Sequence, residues 1–293
     1  MTTLSFGFIA VYVLLVGVAS FIEVPVGRGL GAYQLNVLIR VGSLAAAAVA
    51  VFVVHGPRLP LGAYAAAGLG IGLITGIGSI FYCVSLKYLP VSLVVTFSNL
   101  YLVVTTLLGF ILLGEPVTAL KLAGLAGTLV GVLLLARAPA RYAVNPDPGS
   151  ASTIVPSRAL VMMGIYIAIV GVGAFLEKPA LKGLDATQLN ALMAIAMTTV
   201  AGVALALQGP RLPMTRQTLG GLGVGAMIGI ASVFYFLGLH NLPVSVAAAS
   251  SNAYIVVTVM LSTIVLHQPL TRARVRAIAL TLLGVTILAL SAT

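Results

Sequence analysis

Glu23 and Glu177 are the side chains whose type and setting best suit them to chemistry, because each is a carboxylate near the end of a long apolar run. A carboxylate inside a membrane is costly and marks a functional site by default, where it can relay protons or hold a cation. If the first run is a helix ending near Arg28, Glu23 lies roughly 7 to 8 Å from that end at about 1.5 Å per residue. That depth suits gates or proton relays on opposite faces. The alternative is a helix-end carboxylate that snorkels to water or pairs with Arg28 or Lys178.

Asn99 and Asn252 come next. Each sits well inside an apolar run that starts at Val91 or Val244, roughly 12 Å deep if helical. Ser98 with Tyr101, and Ser251 with Tyr254, add hydroxyls one helical turn or less away. The two clusters read either as the lining of a substrate cavity or as hydrogen bonds that hold helices together. Arg40 lies within an apolar run and has no basic mate, its counterpart being Met193 or Ala194. As a fixed cation it suits a substrate carboxylate or phosphate, or a structural pair with Glu23.

Other groups carry less. Gly68, Gly70, Gly72 and Gly76 lie inside an apolar run without the preceding strand that a dinucleotide-binding turn needs, so they read as close helix packing. His55, His240 and His267 fall in separate connections and lack metal-ligand spacing. Cys83 is the single cysteine, so no intramolecular disulfide or thiol pair is available. No metal and no cofactor is expected.

These residues must be positioned by membrane helices. The 293 residues are 60% hydrophobic and 7% charged, against about 25% charged in soluble domains. At roughly 20 residues per span plus a short connection the length holds about ten spans. The net charge of +10 sits mostly between apolar runs, where Lys and Arg set orientation. It forms no basic stripe with interleaved aromatics, so nucleic acid is excluded as a partner.

Self-comparison gives the arrangement. Phe21, Glu23, Pro25, Gln34, Leu35 and Asn36 recur as Phe175, Glu177, Pro179, Gln188, Leu189 and Asn190. After a one-residue deletion in the second copy, Gly72, Gly76, Phe81, Tyr82, Ser98, Asn99 and Tyr101 recur as Gly225, Gly229, Phe234, Tyr235, Ser251, Asn252 and Tyr254. Apolar runs near 4–24, 34–54, 61–86, 91–113 and 122–136 are answered by 159–177, 188–207, 219–239, 245–266 and 277–291. The expected fold is therefore all-α: ten transmembrane helices as two five-helix repeats. An odd number of spans per repeat makes the pair inverted. The units are residues 1–140 and 158–293, joined by a polar loop at 141–157. Counting loop cations alone puts both termini outside.

The stretch Phe81-Tyr82 through Leu89-Pro90, then Leu112-Leu113-Gly114-Glu115-Pro116 and the Gly-rich run 124–135, resembles the drug/metabolite transporter superfamily, specifically its ten-span EamA-type members. The second half repeats the pattern, with His267-Gln268 in place of Gly114-Glu115. Three features depart from it: the chain has no Trp, Asn99 to Leu108 contains no proline, and the resemblance implies cytoplasmic termini. It implies a multi-pass protein of the inner membrane, not an enzyme, that moves a small polar or amphipathic metabolite such as an amino acid, chiefly outward. Its implied partners are the substrate, the bilayer and protons as coupling ion, with the chain a monomer or weak dimer. Rival readings are an uncoupled facilitator, a multidrug or cation exporter, and a non-transporting scaffold or lipid-interacting protein. Together the expected substrate cavity is Ser98, Asn99, Tyr101, Ser251, Asn252, Tyr254 and Arg40, and the expected coupling or gate residues are Glu23 and Glu177.

Overall fold

A computed structural model of the chain describes residues 2–27, 29–56, 58–60, 62–85, 94, 97–137, 157–208, 212, 215–265, 267 and 271–291. Among these every regular element is an α-helix. The first half gives α1 (Thr2–Gly27), α2 (Ala32–His55), α3 (Ala63–Ser85), α4 (Tyr101–Leu112) and α5 (Ala119–Arg137). The second gives α6 (Ser157–Ala180), α7 (Ala186–Gln208), α8 (Arg216–Asn241), α9 (Val244–Ser251), α10 (Tyr254–Val265) and α11 (Arg272–Ser291). Ser157 already opens α6, and residues 141–156 of the expected connecting loop lie outside the described residues, as do Arg28 and the Leu89-Pro90 turn.

Seven spans are long and apolar enough to cross a membrane: α1, α2, α3, α6, α7, α8, and Val244–Val265, which contains α9 and α10. The apolar parts of α4, α5 and α11 are shorter. Large side chains such as Phe52, Val53, Ile111, Leu207 and Leu219 are exposed. In water such a surface would aggregate, whereas lipid is its natural solvent. The protein is a membrane protein.

The halves do not fold side by side. Helix α1 packs on α8, and its counterpart α6 packs on α3. Likewise α2 packs on α8 while α7 packs on α3, and α2 meets α7 and α5 meets α11. Each half thus covers the third helix of the other with its own first two.

Glycines allow the approach. A Cβ on Gly72 would lie 2.5 Å from the Met193 carbonyl oxygen, and one on Gly225 would strike the Ile39 carbonyl oxygen. Gly229 and Gly76 repeat the arrangement one turn on, against Ser43 and Met197. Helices without a side chain at the contact can meet backbone to backbone, the main source of association in lipid. Gly68 packs on Leu192, but a Cβ on Gly70 would meet no neighbouring helix within 4 Å, so the packing role expected of this glycine run holds at three positions of four.

Two hydrogen bonds complete the symmetry. Thr105 Oγ1 donates to the Gly171 carbonyl at 3.0 Å, and Thr258 Oγ1 donates to the Gly17 carbonyl at 3.0 Å. These contacts also fix the register of the repeat. Met193 stands where Ile39 stands, so the counterpart of Arg40 is Ala194.

The fourth span is not the continuous helix its hydropathy suggests. Between α9 and α10 the chain turns at Asn252 and Ala253, where Ala253, Ile255 and Val256 donate to carbonyls three residues back. The same tightening occurs in the first half at Leu100, Leu102 and Val103. No proline is needed: the two asparagines themselves mark the breaks.

Candidate functional site

Pro25 and Pro179 sit inside the last turns of α1 and α6. Proline has no N–H to give, so the carbonyls of Phe21 and Phe175 lose their usual helical donor. The carboxylates of Glu23 and Glu177 stand at this weakened turn. Among the described residues no hydrogen bond or ion pair within 4 Å reaches either carboxylate. Lys178, one of the expected partners, instead donates to the carbonyls of Leu239 and His240, both at 2.7 Å. It closes the C-terminus of α8, where a cation meets the negative end of the helix.

Glu177 borders a cavity of about 190 Å³ at the junction of the repeats. Tyr12 on α1, Arg40 on α2, Tyr101 on α4, Asn190 on α7, Ser232 and Tyr235 on α8 and Ser251 on α9 supply its polar lining. Met193, Met197 and Phe236 supply apolar wall. A mostly apolar hollow with a few convergent polar groups is the usual form of a small-molecule site. A larger hollow, about 490 Å³, lies near the turn between α6 and α7. The only carboxylate there, Asp185, is already engaged in a helix cap.

Of the residues singled out from sequence, Arg40, Tyr101, Ser251 and Glu177 meet at this cavity, while Ser98, Asn99, Asn252, Tyr254 and Glu23 do not line it. Asn99 and Asn252 are both 2% exposed. Tyr101 donates its hydroxyl to Asn252 Oδ1 at 3.4 Å, and Ser251 donates to the Ala248 carbonyl. The asparagines therefore sit behind the lining, at the helix breaks. Asn252 Nδ2 and Ser250 Oγ there are buried without a partner. Broken helices are a common device for presenting polar backbone at a transporter's centre.

Arg40 makes one weak contact, from its guanidinium to Met197 Sδ at 3.9 Å, and its Nε is buried without a partner. The expected ion pair with Glu23 does not form at contact distance. Tyr12, Tyr235, Asn190 and Ser232 were not picked out as lining residues. Asn190 and Tyr235 were visible only as members of the repeat, and Tyr12 and Ser232 became visible only through packing.

A second polar cluster joins the repeats. The turn after α4 passes through Gly114 at φ +63°, a left-handed conformation that closes helix ends and favours glycine. It swings Glu115 back so that its carboxylate accepts from the backbone N–H of Val244 and from Ser245 Oγ at the start of α9. Lys121 completes the cluster at 3.2 Å, with side chains 3% and 8% exposed for Lys121 and Glu115. Lys121 is thus committed to an ion pair inside the protein. Glu115 satisfies open N–H groups at a helix N-terminus, where a negative charge is favoured, and fixes the segment that carries Ser251.

The remaining acid with a described position is Asp185, which starts α7. It accepts from the Thr187 and Gln188 N–H groups at 2.8 and 3.1 Å and from Thr187 Oγ1 at 2.6 Å. Gln188 Oε1 accepts from the Asp185 N–H in return, a capping box. Gln34 does the same for the Gly31 N–H at 2.7 Å, which explains why both repeats carry glutamine here. His55 Nε2 lies 2.6 Å from Asp185 Oδ2. Burial pushes the Asp185 carboxyl up. The hydrogen bonds from Thr187 and Gln188, with His55 beside it, outweigh this and hold it below its ordinary value of 3.8. Among the described residues no group of three metal-ligating side chains occurs.

The sequence matches the EamA-like transporter family over residues 5–137 and again over 157–290. No curated protein matches the chain. A solved crystal structure of a protein 18% identical in sequence superposes with a TM-score of 0.82, covering 100% of this chain and 98% of the other. At that identity the likeness speaks for the fold alone. Two matches of the family, one on each set of helices that interlock around the cavity, settle membership: the chain belongs to the EamA-like transporter family, a branch of the drug/metabolite transporters.

Proposed function

We propose that this protein is a secondary transporter that exports a small polar or amphipathic metabolite across the inner membrane by alternating access. In this reading ten spans form two inverted five-helix repeats, residues 1–140 and 158–293, that rock about the central cavity. The observation that carries it is that cavity: it lies where the two repeats meet, and both halves supply polar side chains to it. A carboxylate and a guanidinium facing one cavity can exchange a substrate for a coupling ion, since each carries a charge that is costly to leave alone in lipid. The export direction rests on family likeness, an argument by analogy.

Purified protein in proteoliposomes tests the reading directly. With a metabolite panel inside the vesicles, an imposed pH gradient should accelerate efflux several-fold. The double substitution Glu23→Gln with Glu177→Gln should abolish that acceleration. Gradient-driven flux that survives it would leave an uncoupled facilitator, and no flux for any compound would point to a non-transporting membrane protein.

A further inference from the structure

The two ends of the bundle are related by the repeat, yet they are not equally closed. At the end where α1 begins and α6 stops, the α6–α7 corner is buried: Phe175 is 6% exposed, Leu184 3%, Ala186 6% and Leu189 0%. Their counterparts in the α1–α2 corner at the other end, Phe21, Leu30, Ala32 and Leu35, are all partly exposed. Among the described pairs no residue of 175–190 is less buried than its mate in 21–36. One apolar cluster accounts for this. It joins Ile9 of α1, Leu184, Leu239 of α8 and Ala247 of α9, and it reaches Met193 and Phe236 in the cavity wall. Apolar packing thus fills the space between the cavity and this end. At the other end the mates are divided: those of Ile9 and Ala247, Met163 and Val94, share one cluster, while Cys83, the mate of Phe236, lies in another.

Charge is distributed in the same way. Glu115 accepts from the Val244 N–H and from Ser245 Oγ, with Lys121 Nζ 3.2 Å from its Oε2, so the turn between α4 and α5 of one half is tied to α9 of the other. Gly109 lets the helices close on this point, since a Cβ there would lie 2.8 Å from Val244 Cγ1. A second tie, His55 Nε2 to Asp185 Oδ2 at 2.6 Å, joins the end of α2 to the start of α7. The counterparts of Glu115, His55 and Asp185 are Gln268, Gln208 and Gly31, none of which carries a charge. The turn itself is repeated, because His267 takes the left-handed conformation of Gly114 at φ +51°. Ser92 and Arg274, the counterparts of Ser245 and Lys121, are also present in the sequence. What the second copy lacks is the acid.

We propose that Glu115 and Lys121, with Ser245, form a latch that holds this end of the cavity shut, and that the neutral Gln268 leaves the opposite end without one. Separating a buried pair strands two charges, which is strongly unfavourable, so the latch biases the protein toward the closure seen here. Its purpose rests on the transporter reading, in which each end opens in turn. The reporter is Ala247→Cys, 0% exposed, in a chain whose single cysteine is removed by Cys83→Ala. Its reaction with a water-soluble maleimide, in nanodiscs that leave both faces accessible, measures opening. Ala19→Cys, equally buried but in a different cluster, reports general loosening.

Glu115→Gln together with Lys121→Met removes the pair without leaving a buried ammonium alone. It should speed labelling at position 247 about tenfold, the scale of losing a hydrogen bond to a charged group, and leave position 19 within about twofold. Gln268→Glu, with Glu115 intact, gives the second copy its missing acid; by latching the opposite end it should also speed labelling at position 247 several-fold. A role for Glu115 in folding alone gives no such effect. If the double variant does not fold, Gln268→Glu decides. Unchanged labelling at position 247 in either folded variant, or equal acceleration at positions 247 and 19, would overturn the proposal. Flux in proteoliposomes alongside an unresponsive position 247 would remove the latch and keep the transporter. A responsive position 247 without flux of any compound would uphold the latch and remove the transporter reading instead.

Discussion

Only five acidic side chains occur in the whole chain, and four have described positions with distinct tasks. Glu115 clasps α9, Asp185 caps α7, Glu177 borders the cavity, and Glu23 stands at the matching proline turn of α1. Asp185 gives the simplest test. Its carboxyl is held below 3.8 in the folded protein, so the stabilisation it contributes is complete above that ordinary value and is lost as pH falls through the lowered one. Wild-type thermal stability should therefore drop on acidification below about pH 4. Asp185→Asn, which keeps a capping oxygen, should be less stable at neutral pH and flatter in this acid range. Asp185→Ala removes the cap itself and should cost about 1 kcal/mol. Unfolding in detergent across a pH series reads both.

At the scale of helices, the contacts that matter are those where a side chain is missing. Gly72→Val would push two methyl groups toward Met193, whose Cα already lies 2.7 Å from the Cβ position. The variant should lose about 3 kcal/mol or fail to fold, because an overfilled contact must shift backbone. Gly70→Ala, with open space around it, should be neutral or slightly stabilising, since alanine suits a helix better by about 1 kcal/mol. Thermal unfolding of the pair separates packing from helix propensity. The sequence shows these glycines as a recurring set but not which ones touch a neighbour, because that depends on how helices are rotated. The same limit governs the site. Hydropathy locates the spans to within a few residues, yet it treats residues 244–265 as one rod. The break at Asn252 comes from hydrogen bonds that an apolar count does not see.

For the molecule as a whole, the repeat was the most legible feature, because identical residues at a fixed offset survive any uncertainty about helix ends. What it left hidden was the exchange of helices between halves. Sequence symmetry is equally compatible with two bundles standing apart, whereas here α1 and α2 pack on α8, and α6 and α7 pack on α3. The interlocked arrangement predicts that neither half is stable alone. Expressed separately, with the chain divided inside residues 138–156, each half should be degraded or aggregate. Expressed together they should copurify and restore ligand-dependent stability. A half that purifies folded by itself would contradict the interlock.

The same exchange sets a timetable for synthesis. When the ribosome has finished α5, helix α3 still waits for α6 and α7, and α1 and α2 wait for α8. The close-packing faces of Gly42, Gly72 and Gly76 are then open to lipid or to the insertion machinery, along with the side chains of Asn36 and Arg40. A nascent chain held in that half-made form depends on whatever shelters polar groups in the membrane until α8 arrives. Mutations that lengthen the delay between the halves should therefore reduce the yield of protein without altering the protein that is made.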